Sequence, residues 1–295
     1  MSKTIIRQII EARMPRDGMA QTGIRGVQVF RATQAIPCAP AVYEPCVIAI
    51  VSGGKETVLD GQHHIYDSSN YLCCPMSMPV KAGTPAASPE NPLYGIYIAL
   101  DPRLMTELTL EMQASGSRIP AAEGHARGIR LARWDDGFQD ALLRLMQLMA
   151  SPADTAILGD ARLRELYYAI LKGEAGAFAR QAFGPGNAIA RSIAQVSTRL
   201  DEQLSIDDMA LRAGMSRAVF HRKFKQATTL SPIQFVKSMR LNTAAMKIAG
   251  GMTVSEAAMT VGYVSASQFS REFKRMFGQS PRQWGDRHHP QLGLA

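Results

Sequence analysis

AAMTVGYVSASQFSREFKRMFGQSPRQW, residues 257–284, decides the fold of this 295-residue chain. Its first helix ends at Gly262. Its second places Phe269 and Phe273 four residues apart, which sets both rings on one face and leaves Arg271 and Lys274 on the other. A short helix, a glycine-containing turn and a second, basic helix make a helix-turn-helix pattern. Ser280 and Pro281 then open a last short helix, serine as cap and proline in the first turn, where its missing N–H costs nothing.

The same arrangement stands upstream. In SIDDMALRAGMSRAVFHRKFK (205–225), Ser205 and Asp208 open one helix and Gly214 ends it. Ser216 starts a second helix, with Phe220 and Phe224 inward and Arg217, His221, Arg222 and Lys225 outward. Phe220 corresponds to Phe269, Phe224 to Phe273, Lys225 to Lys274, Ser231 to Ser280 and Pro232 to Pro281, all at one offset, whereas Gly214 and Gly262 are one residue out of step. Thr253 and Glu256 form a capping box at the start of the second unit. The helix from about 232 to 249 would be roughly 27 Å long at 1.5 Å per residue. Successive major-groove faces on one side of a duplex lie roughly 34 Å apart, so two recognition helices would suit adjacent grooves. A duplicated helical bundle that binds protein is the alternative.

Charge supports the nucleic-acid reading. Residues 1–187 hold 18 Lys and Arg against 18 Asp and Glu, and residues 188–295 hold 15 against 7, so the whole excess of +8 lies in the last third. Such a concentration suits a surface that meets phosphate, a solvated basic face being the plainer reading of charge alone. The composition, 46% hydrophobic and 20% charged, is globular, and the length suggests two domains. The N-terminal stretch lacks the features of a secretory signal, no window has the apolar length of a membrane span, and four irregularly spaced cysteines fit neither a disulfide framework nor a zinc site. A reducing cytoplasm, and no membrane partner, is the expectation.

Residues 26–100 read as strands: GVQVFRA, PCVIAIVSG, KETVLDG, HHIYD, YLCCP and LYGIYIAL are short apolar or alternating runs between turn residues, which suggests a small barrel or sandwich. From Asp101 the period becomes helical through 101–115, 135–151 and 152–174, after a first short helix at 2–13. The expected organisation is α+β: a regulatory domain at 1–181, a linker at 182–187 (AFGPGN), an all-α domain of two helix-turn-helix units joined by a long helix at 188–287, and a tail at 288–295.

The C-terminal third, through ALRAGMSRAVFHRKFK, SPIQFVKSMRLNTA and the opening stretch, resembles the AraC/XylS family of bacterial transcription regulators. VYEPCVIAIVSGGKETVLDG and LYGIYIALDP resemble the cupin-like N-terminal class of that family. The resemblance implies a β-barrel that binds a small-molecule effector, promoter DNA and RNA polymerase as partners, and no enzymatic activity or cofactor. By the same resemblance Ser216, Arg217, Ala218, His221 and Arg222 would face DNA from the first recognition helix, and Ser267, Gln268, Ser270 and Arg271 from the second. Arg222 and Arg271 are the candidate base readers, since a guanidinium can bond guanine O6 and N7 together; Lys225 and Lys274 are candidate phosphate contacts.

The barrel yields fewer candidates. His63 and His64 are adjacent, so at most one faces inward, and the metal-binding spacing of metallo-cupins is absent; they read as structural. Cys73 and Cys74 should likewise point to opposite faces, one toward the cavity and one toward the helical layer. Packing is the preferred reading for them, and an effector-sensing thiol, which would need a lowered pKa, the alternative. Tyr43 and Glu44 would contact an effector or hold the barrel edge. The helices at 138–172 would pack on the barrel, with a homodimer interface as a second role. Two other readings stay open: a constitutive DNA-binding factor whose barrel only dimerises, and a DNA-tethered cupin enzyme.

Overall fold

Two β-sheets face each other in the N-terminal half of the computed structural model, which describes residues 2–115, 128–184 and 186–288. Helix α1 (Ser2–Arg13) precedes strands β1 (Gly18–Gln21), β2 (Val27–Ala32), β3 (Ile36–Tyr43), β4 (Cys46–Ser52), β5 (Gly54–Leu59), β6 (Gln62–Asp67), β7 (Asn70–Cys74), β8 (Met78–Thr84) and β9 (Leu93–Ala99). Helix α2 (Pro102–Ala114) and strand β10 (Arg130–Arg133) follow. One sheet has the order β1-β2-β9-β4-β7-β10 and the other β3-β8-β5-β6, with antiparallel pairing throughout. The expected barrel is thus present as two packed sheets rather than one closed sheet.

The six-stranded sheet is buried on both faces, which is why PCVIAIVSG and YLCCP read as continuous apolar runs. Val29, Val47, Ala49, Tyr71, Cys73 and Ile98 face a helical layer, and Phe30, Cys46, Ile48, Leu72 and Cys74 face the second sheet. That layer contains α1, through Ile6 and Ile10, together with α3 (Asp136–Gln147), α4 (Pro152–Lys172) and α5 (Gly176–Phe183). Tyr71 stacks on Phe138 of α3 at 4.2 Å between ring centroids. Strand β5 of the second sheet is buried on one face only, and KETVLDG alternates accordingly. Strand β3 carries Pro37 and Pro40, which hide it from pattern reading. It is the edge strand of its sheet, where proline is tolerated. Helix α5 likewise runs two residues into the stretch expected to be linker, and the expected tail lies, after His288, outside the described residues.

The C-terminal third holds α6 (Ala188–Thr198), α7 (Ile206–Arg212), α8 (Arg217–Thr228), α9 (Pro232–Ala249), α10 (Val254–Thr260), α11 (Ala266–Phe277) and α12 (Pro281–His288). Ser205, Ser216, Ser231, Thr253 and Ser265 accept hydrogen bonds from the first turns of α7, α8, α9, α10 and α11, and Ser231 and Thr253 complete capping boxes with Gln234 and Glu256. Phe220, Phe224 and Phe235 are fully buried in the first unit, as are Phe269 and Phe273 in the second. Burial of this kind contributes about 1.5–3 kcal/mol per side chain. Helix α9 also packs against β3 and β8 of the second sheet. There the Asn242 side chain, 3% exposed, donates to the carbonyls of Ala41 (3.0 Å) and Val80 (3.1 Å), which are partners in the β3–β8 register.

Candidate nucleic-acid interface

The two basic helices expose the residue types expected of them. On α8 and at its cap, Ser216, Arg217, Ala218, His221, Arg222 and Lys225 are exposed, while Phe220 and Phe224 on the opposite side are fully buried. On α11, Ser267, Gln268, Arg271 and Lys274 are exposed and Ser270 is half-buried, above buried Phe269 and Phe273. Among the described residues Arg222 and Arg271 have no hydrogen-bonded or ion-paired partner, so both guanidinium forks stand open to solvent. Arg217 differs: its Nη1 donates to both carboxylate oxygens of Asp207 on α7, at 3.1 and 3.0 Å. Gln268 is tethered at 3.5 Å to Glu272, one turn along α11.

Within the second unit Glu272 is a junction. It accepts a bond from the Tyr263 hydroxyl at 2.8 Å and an ion pair from Lys237 of α9 at 3.0 Å. Burial on its own would raise the Glu272 carboxyl, but hydrogen bonds from Lys237, Tyr263 and Gln268 outweigh it and hold the group below the usual carboxylate range. The α10–α11 turn is also tied to the first unit. Arg240 of α9 donates to the carbonyls of Leu200 and Glu202, and Gly262 lies so close that a Cβ there would stand 2.7 Å from the Leu200 carbonyl oxygen.

The four effector candidates fall in three places. Tyr43 lies between the sheets, its hydroxyl 3.0 Å from Thr57 Oγ1, which is in turn 3.4 Å from the Tyr66 hydroxyl. Cys74 faces the same interior, opposite Cys46 in the β4–β7 register. Cys73 points the other way, into the helical layer. Glu44 is exposed at the end of β3, where Ser77 donates to it and also meets Ser197 of α6 at 3.2 Å. Burial pushes the Cys73 thiol up to about 12 and the Cys74 thiol well above its ordinary value, the opposite of what a reactive thiol needs.

His63 is exposed and hydrogen-bonded to Glu56, and His64 is half-buried; Tyr66 is the residue of β6 that enters the core. Among the described residues no group of three or more His, Cys, Asp or Glu comes together to hold a metal, and no helix is long and apolar enough to cross a membrane.

One interior residue was missed by pattern reading. Lys55 is 3% exposed and shares the inner face of β5 with Thr57 and Leu59, its ammonium 5.7 Å from the Phe30 ring centroid. Burial lowers its pKa to about 8. The period of two that places Leu59 inside places Lys55 inside as well, so the signal was in the sequence.

Comparison with known proteins follows the same division of the chain. A family model described as the AraC-type transcriptional regulator N-terminus matches residues 23–178, and a helix-turn-helix domain model matches residues 209–287. The chain is 37% identical over 93 residues to the HTH-type transcriptional regulator MtrA of Neisseria gonorrhoeae, a match covering 31% of each chain. It is 31% identical over 96 residues to the regulatory protein SoxS of Escherichia coli, covering 32% of this chain and 90% of SoxS. Among solved structures, an apo ToxT variant from Vibrio cholerae aligns with a TM-score of 0.57 at 10% identity, covering 92% of this chain and all of that one. Wild-type ToxT with an unsaturated fatty acid bound aligns at 0.55 and 10%, covering 92% and 95%. At such identities the likeness is one of fold.

Proposed function

Since the chain belongs to the AraC-type transcriptional regulators, which bind DNA, we propose that α8 and α11 enter adjacent major grooves of promoter DNA and that an effector held by the N-terminal half modulates this binding. One observation carries the reading: two equivalent helices, each buried through a pair of phenylalanines, each present an arginine that no described residue pairs with. Arg222 and Arg271 read bases, and Lys225 and Lys274 contact phosphate. Ser216, Ala218 and His221 on the first helix, and Ser267, Gln268 and Ser270 on the second, complete the facing surface. Arg217, tied to Asp207, serves first to fix α8 on α7.

An effector role for the N-terminal half is supported by its polar interior of Tyr43, Thr57, Tyr66 and Lys55, and by ToxT, whose fold it shares and which has been solved with a fatty acid bound. The buried thiols belong to packing rather than to sensing. A cytoplasmic location, a contact with RNA polymerase and homodimerisation complete the reading; the exposed Ile157, Leu158 and Tyr168 on α4 support the last.

Selection of bound sequences from a random DNA pool by the full chain tests this, repeated with metabolite mixtures. Enrichment of two half-motifs about one helical turn apart is expected. Absence of any enriched motif overturns the reading, and affinity unmoved by every mixture favours a constitutive factor.

A further inference from the structure

Gln268 stands in the first turn of the second recognition helix, where such helices meet base edges. Its backbone N–H donates to the capping Ser265 hydroxyl at 3.2 Å, which fixes the main chain at that position. The side chain is exposed, and what it offers a base depends on how its amide is turned.

Glu272, one turn along α11, decides that. Its Oε2 takes the Tyr263 hydroxyl at 2.8 Å and the Lys237 ammonium at 3.0 Å, which ties the carboxylate to α9. Its Oε1 takes the Gln268 Nε2 at 3.5 Å. A bond of that length orients the amide rather than adding much stability.

A carboxylate held below its ordinary range is ionised and only accepts, so Gln268 must turn its NH₂ group toward Glu272. A half-turn of the amide would set oxygen against oxygen. One N–H is thereby spent within the protein, and the other stays beside the amide oxygen on the free edge, in one fixed order. A donor next to an acceptor complements the major-groove edge of adenine, whose N7 accepts and whose N6 donates, and no other base presents that pair. The first unit has no counterpart, since Val219, Lys223 and Met215 stand at the positions of Gln268, Glu272 and Tyr263.

We propose that Glu272, anchored to α9 by Lys237, is a positioning residue that aims the Gln268 amide at adenine, and so sets the base preferred at one position under α11. It acts through Gln268 rather than by touching DNA. The inference rests on the function proposed above, in which α11 lies in a major groove.

The test takes the motif selected from random DNA by the full chain, remakes it with each base in turn at every position under α11, and compares affinities by competition. At one position adenine is expected to exceed the other bases about tenfold or more, and Gln268→Ala to abolish that ratio. Glu272→Gln keeps the shape but donates as well as accepts, so the amide loses its fixed order and the ratio should fall to about threefold. Lys237→Met should also lower the ratio, about two- to threefold, and Lys237→Arg should restore it. Arg271→Ala, which relaxes a different position, should leave it unchanged. Should Glu272→Gln fail to fold, Lys237→Met decides alone. Parental ratios in either variant overturn the aiming, as does an equal loss on all four bases in Lys237→Met, which would make that lysine a phosphate contact. A base other than adenine at the position lost in Gln268→Ala overturns the assignment. Gln268→Ala with every position unchanged overturns instead the reading of Gln268 as a residue that faces DNA.

Discussion

The two helix-turn-helix units repeat the same helices but are held in place by different means. In the first, Phe220, Phe224 and Phe235 belong to one continuous apolar cluster with the inner faces of the sheets and with Met76 and Ala182. In the second, Phe269, Phe273 and Trp284 form a separate cluster that includes only Ala39 from the strands, and Glu272 bolts α11 to α9 from within. Position in the second unit therefore rests on α9 and on the turn's contact with the first unit rather than on the interior of the sheets. Position in the first is shared with the regulatory half through that common cluster.

The turns give the sharpest test. At Gly214 (φ +65°) an added Cβ would meet open space; at Gly262 (φ +82°) it would meet two carbonyl oxygens, at 2.7 and 2.9 Å. Gly262→Ala should cost about 3–4 kcal/mol, conformational strain plus backbone collision, and Gly214→Ala only about 1–2 kcal/mol. Urea unfolding of both variants measures this, and equal losses would erase the distinction between the turns.

The DNA contacts come next. Arg222→Ala and Arg271→Ala should each cost about 1–3 kcal/mol on the selected site and relax preference at one base pair, whereas Lys274→Ala weakens preferred and scrambled DNA alike. Competition binding against single-base variants separates these outcomes. The same loss on both DNAs for either arginine would reassign it to phosphate.

Acid stability distinguishes the units further. The folded Glu272 carboxyl lies below its unfolded value, so its contribution is complete above the ordinary carboxylate range and is lost as pH falls through the lowered value. Glu272→Gln should remove about 1–2 kcal/mol at pH 7 and flatten that acid-side loss. Unfolding midpoints from pH 3 to 7 would show it, and a variant with the parental acid slope would sink the assignment.

The smallest effect lies at the ends of the recognition helices. Thr229 closes α8 at φ 70° and Gly278 closes α11 at φ 76°, at the same offset that relates the phenylalanines. A β-branched residue in that conformation is strained, and the Thr229 hydroxyl is buried without a partner. Thr229→Gly should stabilise the protein by about 1 kcal/mol, read from thermal unfolding; a decrease would mean that threonine has a compensating role in the first unit.

The legible parts of this molecule were those written locally. Ser216, Ser231, Thr253 and Ser280 announce helices because a cap bonds to an amide only three residues away, and paired phenylalanines announce an inner face because they lie one turn apart. The continuous strands of the doubly buried sheet were equally plain. Strand β3 was hidden because its prolines argue against a strand until it is known to be an edge. Of the candidate site, the exposed faces of α8 and α11 could be placed from period alone. The partners of Asn242 could not, since the carbonyls of Ala41 and Val80 lie on distant strands that no local pattern brings to α9.

Asn242 joins α9, the helix between the two helix-turn-helix units, to the sheet through two neutral hydrogen bonds. Ions in solution, which govern how tightly basic helices hold phosphate, have little purchase on a buried amide. A rise in salt would weaken the hold of the helix-turn-helix units on DNA without loosening that joint. The cell would receive an attenuated message from this regulator, not a scrambled one.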